Sequence, residues 1–144
     1  MKFVRFMGQN EFNKLVNGET LKMNDRQRFC ESGAKTLSSG FCFLGSPILY
    51  MDKDENIHQC TPFEALEFLY GIVTTDVLVE FEAEPDVLQR SYGIYSDPDP
   101  FAGFSDTVIV AEFCTTEYSR KKIKPIRVCY DIDVFGSSDG WKAL

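Results

Sequence analysis

Two charged residues interrupt apolar segments that the sequence predicts as β-strands. Arg5 lies in Lys2–Met7 (KFVRFM), and Glu112 lies in Thr107–Thr115 (TVIVAEFCT). Burial of an unpaired charge is costly, so each side chain is expected either to face water or to be buried with an ionic partner or a ligand. If it is buried, Arg5 offers a fixed fork for a carboxylate or a phosphate.

The stretch at residues 36–43, TLSSGFCF, places three hydroxyl residues ahead of a glycine and a short apolar run. One interpretation is a loop that leads into a buried strand, because Ser and Gly favour turns and Phe favours strands. The other is a group of hydroxyls held at the start of a strand, where they can contact a ligand. The stretch alone does not decide between these two interpretations.

The strand predicted at residues 75–83, TDVLVEFEA, carries two carboxylates two positions apart, Glu80 and Glu82, which therefore lie on one face. Adjacent carboxylates raise the pKa of at least one member and can form an acid–base pair. The regular alternation with Val79 and Phe81 favours a simpler interpretation, in which the glutamates form the solvated face of an amphipathic strand.

His58 is the only histidine, and it lies in a charged stretch, DKDENIHQC, that is predicted as an exposed loop. A Ser–His or Cys–His nucleophile would depend on it. It forms an H-x-C pair with Cys60, but no further ligands lie nearby in sequence, and the five cysteines include no C-x-x-C. No metal and no disulfide framework are expected, and a reducing, cytoplasmic location fits best.

The acidic composition limits the classes of partner. The net charge of −7 argues against binding to a nucleic-acid backbone, which requires a basic face. No apolar stretch approaches the roughly 18 residues that a membrane-spanning helix needs. The first twelve residues, MKFVRFMGQNEF, become polar too early for a signal peptide. We therefore expect no membrane partner.

The predicted elements form an α+β domain with mostly antiparallel sheets and two main short helices. One helix is expected at Gln9–Val16, and a second begins with a capping box at residues 61–64, TPFE, and ends at Gly71. The predicted strands span residues 2–7, 40–44, 75–83, 92–95, 107–115 and 123–130. A single domain is assigned to residues 1–130, followed by a C-terminal tail at 131–144.

An Arg on the first strand, a hydroxyl pair before a later strand and a Glu on a late strand form an ordered triple: Arg5, then Thr36 and Ser38, then Glu112. This order resembles the Arg–Ser/Thr–Glu pattern of ADP-ribosyltransferase-like domains, over roughly residues 2–128. The resemblance implies that NAD is bound as a substrate and that no metal is needed. It also implies that Arg5 contacts the diphosphate or ribose of NAD and that Thr36 and Ser38 support the nicotinamide half.

The same resemblance implies that Glu112 hydrogen-bonds the nicotinamide ribose and stabilises the cationic transition state. Cleavage of the nicotinamide–ribose bond develops oxocarbenium character, which a preorganised carboxylate stabilises. The family often has Glu or Gln two residues earlier, where this chain has Val110. Glu82 and Glu117 remain alternatives for the carboxylate, although the E-x-E at Glu80 comes one strand too early in the family order.

Three hypotheses for function follow. The first is an ADP-ribosyltransferase or NAD glycohydrolase, whose acceptor would be chosen by the predicted loops at residues 21–35 and 96–105. The second is a non-catalytic module on the same fold that binds a nucleotide or a protein target, such as a phage or mobile-element inhibitor of a host system. The absence of the upstream Glu or Gln, with Val110 in its place, favours this hypothesis. The third is an interaction protein of an unrelated α+β fold.

Overall fold

The structure, a computed structural model, describes residues 1–23, 34–36, 40–96, 107–133 and 135–144. In these ranges the chain forms a mixed α+β fold in which the named strands pair antiparallel and two α-helices pack against the sheet. The predicted class, α+β with mostly antiparallel strands and two short helices, is confirmed. Among the described residues, neither helix has the length and apolar character needed to cross a lipid bilayer.

The elements are given in chain order. The helices are α1 (Gln9–Val16) and α2 (Leu66–Leu69), and a 3-10 turn spans Pro85–Val87. The strands are β1 (Lys2–Met7), β2 (Leu21–Lys22), β3 (Ala34–Thr36), β4 (Phe41–Gly45), β5 (Ile48–Met51), β6 (Ile57–Cys60), β7 (Val77–Glu82), β8 (Gln89–Ser96), β9 (Thr107–Thr115), β10 (Glu117–Tyr118), β11 (Lys124–Tyr130) and β12 (Lys142–Ala143).

Most of the strands belong to one sheet, in which β1 is a central strand. The order begins β12-β11-β7-β1-β4-β9, and β8 and then β3 extend it from the other side of β9. Beyond the end of β4, β5 continues along β9 and pairs with β6, which is an edge strand. A separate two-stranded ribbon joins β2 to β10.

Both faces of the sheet are covered by apolar side chains. Helix α1 packs one face through Phe12 and Leu15, and α2 packs the other through Leu66 and Leu69. On the α1 face lie Phe3, Phe43, Val77, Val79, Phe81 and Phe113, and on the α2 face lie Val4, Phe6, Leu44, Leu78 and Val110. The alternation in KFVRFM indicates a half-buried strand, but β1 is buried on both of its faces.

Helix α1 has the predicted bounds for a simple physical reason. Phe12 and Leu15 are three positions apart, so both lie on the face turned towards the sheet. After the helix, Gly18 adopts φ +80°, a left-handed conformation that glycine tolerates and that ends the helix.

The capping box ahead of α2 forms as predicted. The Thr61 hydroxyl accepts a hydrogen bond from the Glu64 amide at 3.1 Å, and the Glu64 carboxylate accepts one from the Thr61 amide at 3.0 Å. The regular helix is shorter than predicted, because residues 62–65 form turns and only Leu66–Leu69 is α-helical.

The segment at residues 131–144 packs against the rest of the domain where the structure describes it. Ile132 is buried in the core on the α2 face, and β12 pairs with β11. The Trp141 ring contacts Phe63 and lies 4.2 Å from the Arg127 guanidinium carbon. These contacts hold the segment against the sheet at its β11 edge.

Candidate functional site

Arg5 is buried on the α1 face of the sheet, with 7% of its surface exposed, and it is bound by an acidic residue of α1. Its Nε and Nη2 donate to the two carboxylate oxygens of Glu11 at 2.7 and 2.8 Å. Its Nη1 donates to the backbone carbonyl of Cys42 at 2.9 Å. This bidentate geometry satisfies most of the guanidinium's donors within the protein.

Aromatic residues complete the surroundings of this ion pair. The Tyr118 hydroxyl donates to Glu11 Oε2 at 2.8 Å, and the Arg5 guanidinium lies over the rings of Phe41 and Phe43. Burial lowers the pKa of Arg5, but the hydrogen bond and the charge of Glu11 outweigh this and raise it. Burial, and then the Glu11 charge, raise the pKa of Tyr118. Arg5 and Glu11 therefore form a partly buried ion pair that joins β1 to α1.

Glu112 is buried on the other face of the sheet, with 1% of its surface exposed. The Tyr95 hydroxyl donates to Glu112 Oε1 at 3.2 Å. The carboxylate lies close over Gly93 of the neighbouring β8, where an added Cβ would overlap Glu112 Oε1. Gly93 does not have a positive φ, so the position requires glycine because of this close approach and not because of its backbone conformation.

Two cysteines lie beside Glu112. Cys42 of β4 is directly opposite Cys114 of β9, and their sulfur atoms are 3.1 Å apart. The hydrogen bond to Cys114 and then burial raise the pKa of the Cys42 thiol, and the charge of Glu112 adds to this effect. Burial, and then the Glu112 charge, raise the pKa of Tyr95. Cys42, Tyr95, Glu112 and Cys114 therefore form a compact group of titratable side chains, of which Cys42 is only partly buried.

The sheet register places Arg5 and Glu112 on opposite faces. Leu44 of β4 is opposite Val4 on one side and Glu112 on the other, so these three side chains share a face. Arg5 follows Val4 directly in β1, so its side chain points to the opposite face. The first and last members of the ordered triple therefore do not line a common cleft.

The middle of the triple is only partly described. Thr36 is the last residue of β3, and its backbone is opposite Gly93 of β8, the residue over which the Glu112 carboxylate lies. Ser38 falls outside the residues that the structure describes. The backbone of Thr36 in β3 therefore lies two strands away from Glu112 in β9, whereas Arg5 binds Glu11 on the opposite face of the sheet.

The other carboxylates considered from the sequence have different environments. Glu80 is buried, with 3% of its surface exposed, and it accepts two hydrogen bonds from Arg127 at 3.1 and 2.9 Å. Glu82 and Glu117 are exposed. The expectation that Glu80 faces solvent is wrong, because Arg127 of the adjacent β11 is its ionic partner on a covered face.

His58 belongs to an edge strand and not to a loop. Strand β6 carries it next to β5, where its ring stacks on Tyr50 with the ring centres 5.0 Å apart. Its Nε2 lies 2.7 Å from the carboxylate of Asp52. The ring is largely exposed, so the prediction of an exposed His58 holds, while the prediction of a loop is wrong.

The sequence analysis missed the outer face of the ribbon formed by β5 and β6. The register of this ribbon places Leu49, Met51, Ile57 and Gln59 on one side. Ile57 is 68% exposed and Leu49 is 41% exposed, whereas Ile48 and Cys60 on the opposite side are buried. The alternation of these residues around a charged turn is the signal that identifies such a ribbon in a sequence.

Comparisons with models of known protein families, with curated proteins and with solved structures find no match to this chain. The class of molecule is therefore defined by its own fold, a small α+β domain with one large and mainly antiparallel sheet. The two charged groups singled out on its strands bind other side chains of the same domain. Ile57 and Leu49 of the β5–β6 ribbon remain exposed on its outer face.

Proposed function

We infer that this chain is a non-catalytic binding module whose partner is an extended, basic segment of another protein. The observation that carries this proposal is the outer face of the β5–β6 ribbon, where Leu49 and Ile57 are exposed beside an open sheet edge. Among the described strands, β6 pairs only with β5. An unpaired edge with exposed apolar side chains is the geometry used to add a strand from a partner.

The hydrogen-bonding pattern of the ribbon supports strand addition. The Asp52 amide donates to the Asn56 carbonyl at 3.0 Å and the Asp52 carbonyl accepts from the Glu55 amide at 3.1 Å, so the backbone of Asp52 bonds across the ribbon to a bulged turn. Because antiparallel pairs alternate in type, Ile57 and Met51 form the next, non-hydrogen-bonded pair. The N–H and C=O of Ile57 therefore point away from β5, towards the open edge.

Charge favours a basic partner over a second copy of this chain. The turn between β5 and β6, residues 52–56, contains Asp52, Asp54 and Glu55 against one basic residue, Lys53. The whole chain carries a net charge of −7, so two copies would repel each other at this edge. A partner strand with Lys or Arg beside its apolar residues complements both the turn and the exposed face.

The enzymatic alternative, cleavage of NAD, receives less support from the site geometry. Arg5 is bound to Glu11 on one face of the sheet, and Glu112 is buried on the other. A ligand that used both residues would have to displace an internal ion pair and cross the sheet. Binding by the exposed ribbon requires neither change.

Binding is tested with arrays of synthetic peptides in which Val alternates with Lys, with Glu, or with Lys around a central Pro. We expect binding of the Val/Lys series only, because Glu reverses the charge and Pro interrupts the strand. Ile57→Asp should weaken binding by about ten- to hundredfold, the equivalent of losing roughly 1.5–3 kcal/mol of apolar burial.

Val87→Asp provides the matched control, because Val87 is also an exposed apolar residue but lies in the 3-10 turn at Pro85–Val87. Its binding should equal that of the wild type. Equal binding of all three peptide series, or full binding by Ile57→Asp, would overturn the proposal. A dimer that dissociates on Ile57→Asp in sedimentation would show that the occupant is a second copy of this chain.

Nicotinamide release from NAD separates the module from the enzyme. We expect no release at a protein concentration where a known ADP-ribosyltransferase turns over. Release by the wild type that is lost in Glu112→Gln would establish the enzyme and contradict the proposal.

A further inference from the structure

Three side chains with metal-ligating atoms meet on the α2 face of the sheet, on β4 and β9. Cys42 and Cys114 are directly opposite each other, and Glu112 lies two residues before Cys114, so all three side chains share a face. The two sulfur atoms are 3.1 Å apart, and the ligand atoms of all three residues lie within 4.8 Å of one another. Paired strands hold each residue, so the group is fixed by the sheet and not by a loop.

A metal ion can take the place of the thiol protons in this group, because metal binding releases the protons of ligating thiols. In their ionised forms, two thiolates and one carboxylate place three like charges within a few ångströms in a region of low dielectric. Glu112 and Cys114 are almost fully buried, with 1% and 2% of their surface exposed, so water compensates those charges poorly. A divalent cation at the centre would offset most of this repulsion.

The residues around the group resemble the supporting shell of a metal site. The Tyr95 hydroxyl donates to Glu112 Oε1 at 3.2 Å and so restrains the orientation of the carboxylate. Gly93 leaves the space in which that carboxylate lies against the sheet. Outer hydrogen bonds of this kind orient ligating side chains in metalloproteins. Cys42 is only partly buried, which leaves a side from which an ion can enter.

We propose that Cys42, Cys114 and Glu112 form a binding site for a thiophilic divalent metal ion, with Zn²⁺ as the best-fitting ion. Thiolate ligands select Zn²⁺ over Mg²⁺ and Ca²⁺, which prefer oxygen ligands. Two sulfurs on one tetrahedral Zn²⁺ are about 3.8 Å apart, given Zn–S bonds of about 2.3 Å. The sulfurs need to separate by roughly 0.7 Å from their present distance, a change that side-chain rotation can supply. Water from the Cys42 side is the fourth ligand.

The ligands come from positions that a search for short cysteine motifs does not connect. Cys42 and Cys114 are far apart in sequence and only the pairing of β4 with β9 joins them. This explains why the absence of C-x-x-C led us to expect no metal. The proposed site is also separate from the β5–β6 ribbon, so its test does not depend on the proposed function.

The test titrates the reduced, chelator-treated protein with Co²⁺ as a spectroscopic substitute for Zn²⁺. We expect one ion per chain, a thiolate-to-cobalt band in the near ultraviolet, the strong visible bands of tetrahedral cobalt, and displacement of Co²⁺ by Zn²⁺. Cys114→Ser should remove most of the thiolate band, and Cys60→Ser, a buried cysteine elsewhere in the fold, should keep it. Tyr95→Phe should weaken binding by about ten- to hundredfold while retaining the spectrum.

A measurement on the wild-type protein covers the case in which the cysteine variants fail to fold. Zn²⁺ should slow the alkylation of Cys42 and leave that of Cys60 unchanged, as read by peptide mass mapping. Equal alkylation of Cys42 with and without Zn²⁺ would overturn the proposal. So would an unchanged cobalt spectrum in Cys114→Ser, or a Cys42–Cys114 disulfide whose reduction yields no metal uptake.

Discussion

The pairing of Arg5 with Glu11 predicts a structural role for Arg5, which can be measured as protein stability without any ligand. Arg5→Met removes the charge and the two hydrogen bonds that Arg5 supplies to the Glu11 carboxylate and keeps the bond from the Tyr118 hydroxyl. Removing one member of a fully buried ion pair typically costs about 3–5 kcal/mol. Because 19% of the Glu11 side chain is exposed, we expect a smaller loss in the free energy of unfolding, about 1–3 kcal/mol, measured by urea denaturation.

Replacing both members should cost much less than replacing either one. The double variant Arg5→Met/Glu11→Leu removes both charges of this pair together and fills the space with apolar groups. Arg120→Met is the matched control, since Arg120 is exposed and donates only to the Val16 carbonyl; about 0.5 kcal/mol or less is expected there. Additive losses in the double variant would refute a coupled ion pair.

The sequence identifies Arg5 and Glu112 as charges inside apolar strands but not their partners, and it assigns Glu80 to a solvated face. A charge inside an apolar strand is visible in one sequence, whereas its counter-charge comes from an element chosen by the fold. Glu11 on α1 binds Arg5, and Arg127 on β11 binds Glu80. These contacts depend on register and on helix placement, which local periodicity does not encode.

At the scale of the element, the capping box ahead of α2 supplies a prediction with a defined pH dependence. Hydrogen bonds from Thr61 lower the pKa of the Glu64 carboxyl. A group whose pKa is lower in the folded state stabilises the fold above its unfolded pKa of roughly 4.3, and this contribution is lost as pH falls through the folded pKa. The stability advantage of the wild type over Glu64→Gln should therefore be full near neutral pH and shrink below about pH 4.

Substitutions at Thr61 test the other half of the box. Thr61→Ala should cost about 1 kcal/mol at neutral pH, because the Glu64 amide loses its acceptor. Thr61→Ser keeps the hydroxyl and should retain most of the stability. The stabilities of the two variants are compared by thermal unfolding at acidic and neutral pH. An Ala variant as stable as the Ser variant would contradict a stabilising role for the Thr61 hydroxyl.

Elements with strong local patterns were the easiest to predict. Helix α1 and the strands β1 and β9 have the predicted bounds, because α1 has a helical apolar face and the two strands are apolar runs of six or more residues. The ribbon of β5 and β6 was missed, since each of its strands has only four residues and one face remains exposed. The resemblance to ADP-ribosyltransferase-like domains stays a prediction, and so does the function that it implies.

At the scale of the whole molecule, the segment at residues 131–144 provides a test of cooperativity. Trp141, the only tryptophan, packs against Phe63 and Arg127, so its fluorescence reports whether the segment is attached. If the segment belongs to the same cooperative unit as the sheet, fluorescence and far-ultraviolet circular dichroism should give one coincident urea transition. A fluorescence change at lower urea would show that the segment detaches first.

The central place of β1 has a consequence for how the protein is made. Both strands that flank it, β4 and β7, come later in the chain, so β1 leaves the ribosome before either neighbour exists. Until β7 is synthesised, an apolar strand that is later buried on both faces has only a partial sheet to join. Long-range strand pairing of this kind folds slowly and exposes apolar surface meanwhile. Apolar surface of β1 therefore stays uncovered on the nascent chain at least until residues 77–82 emerge.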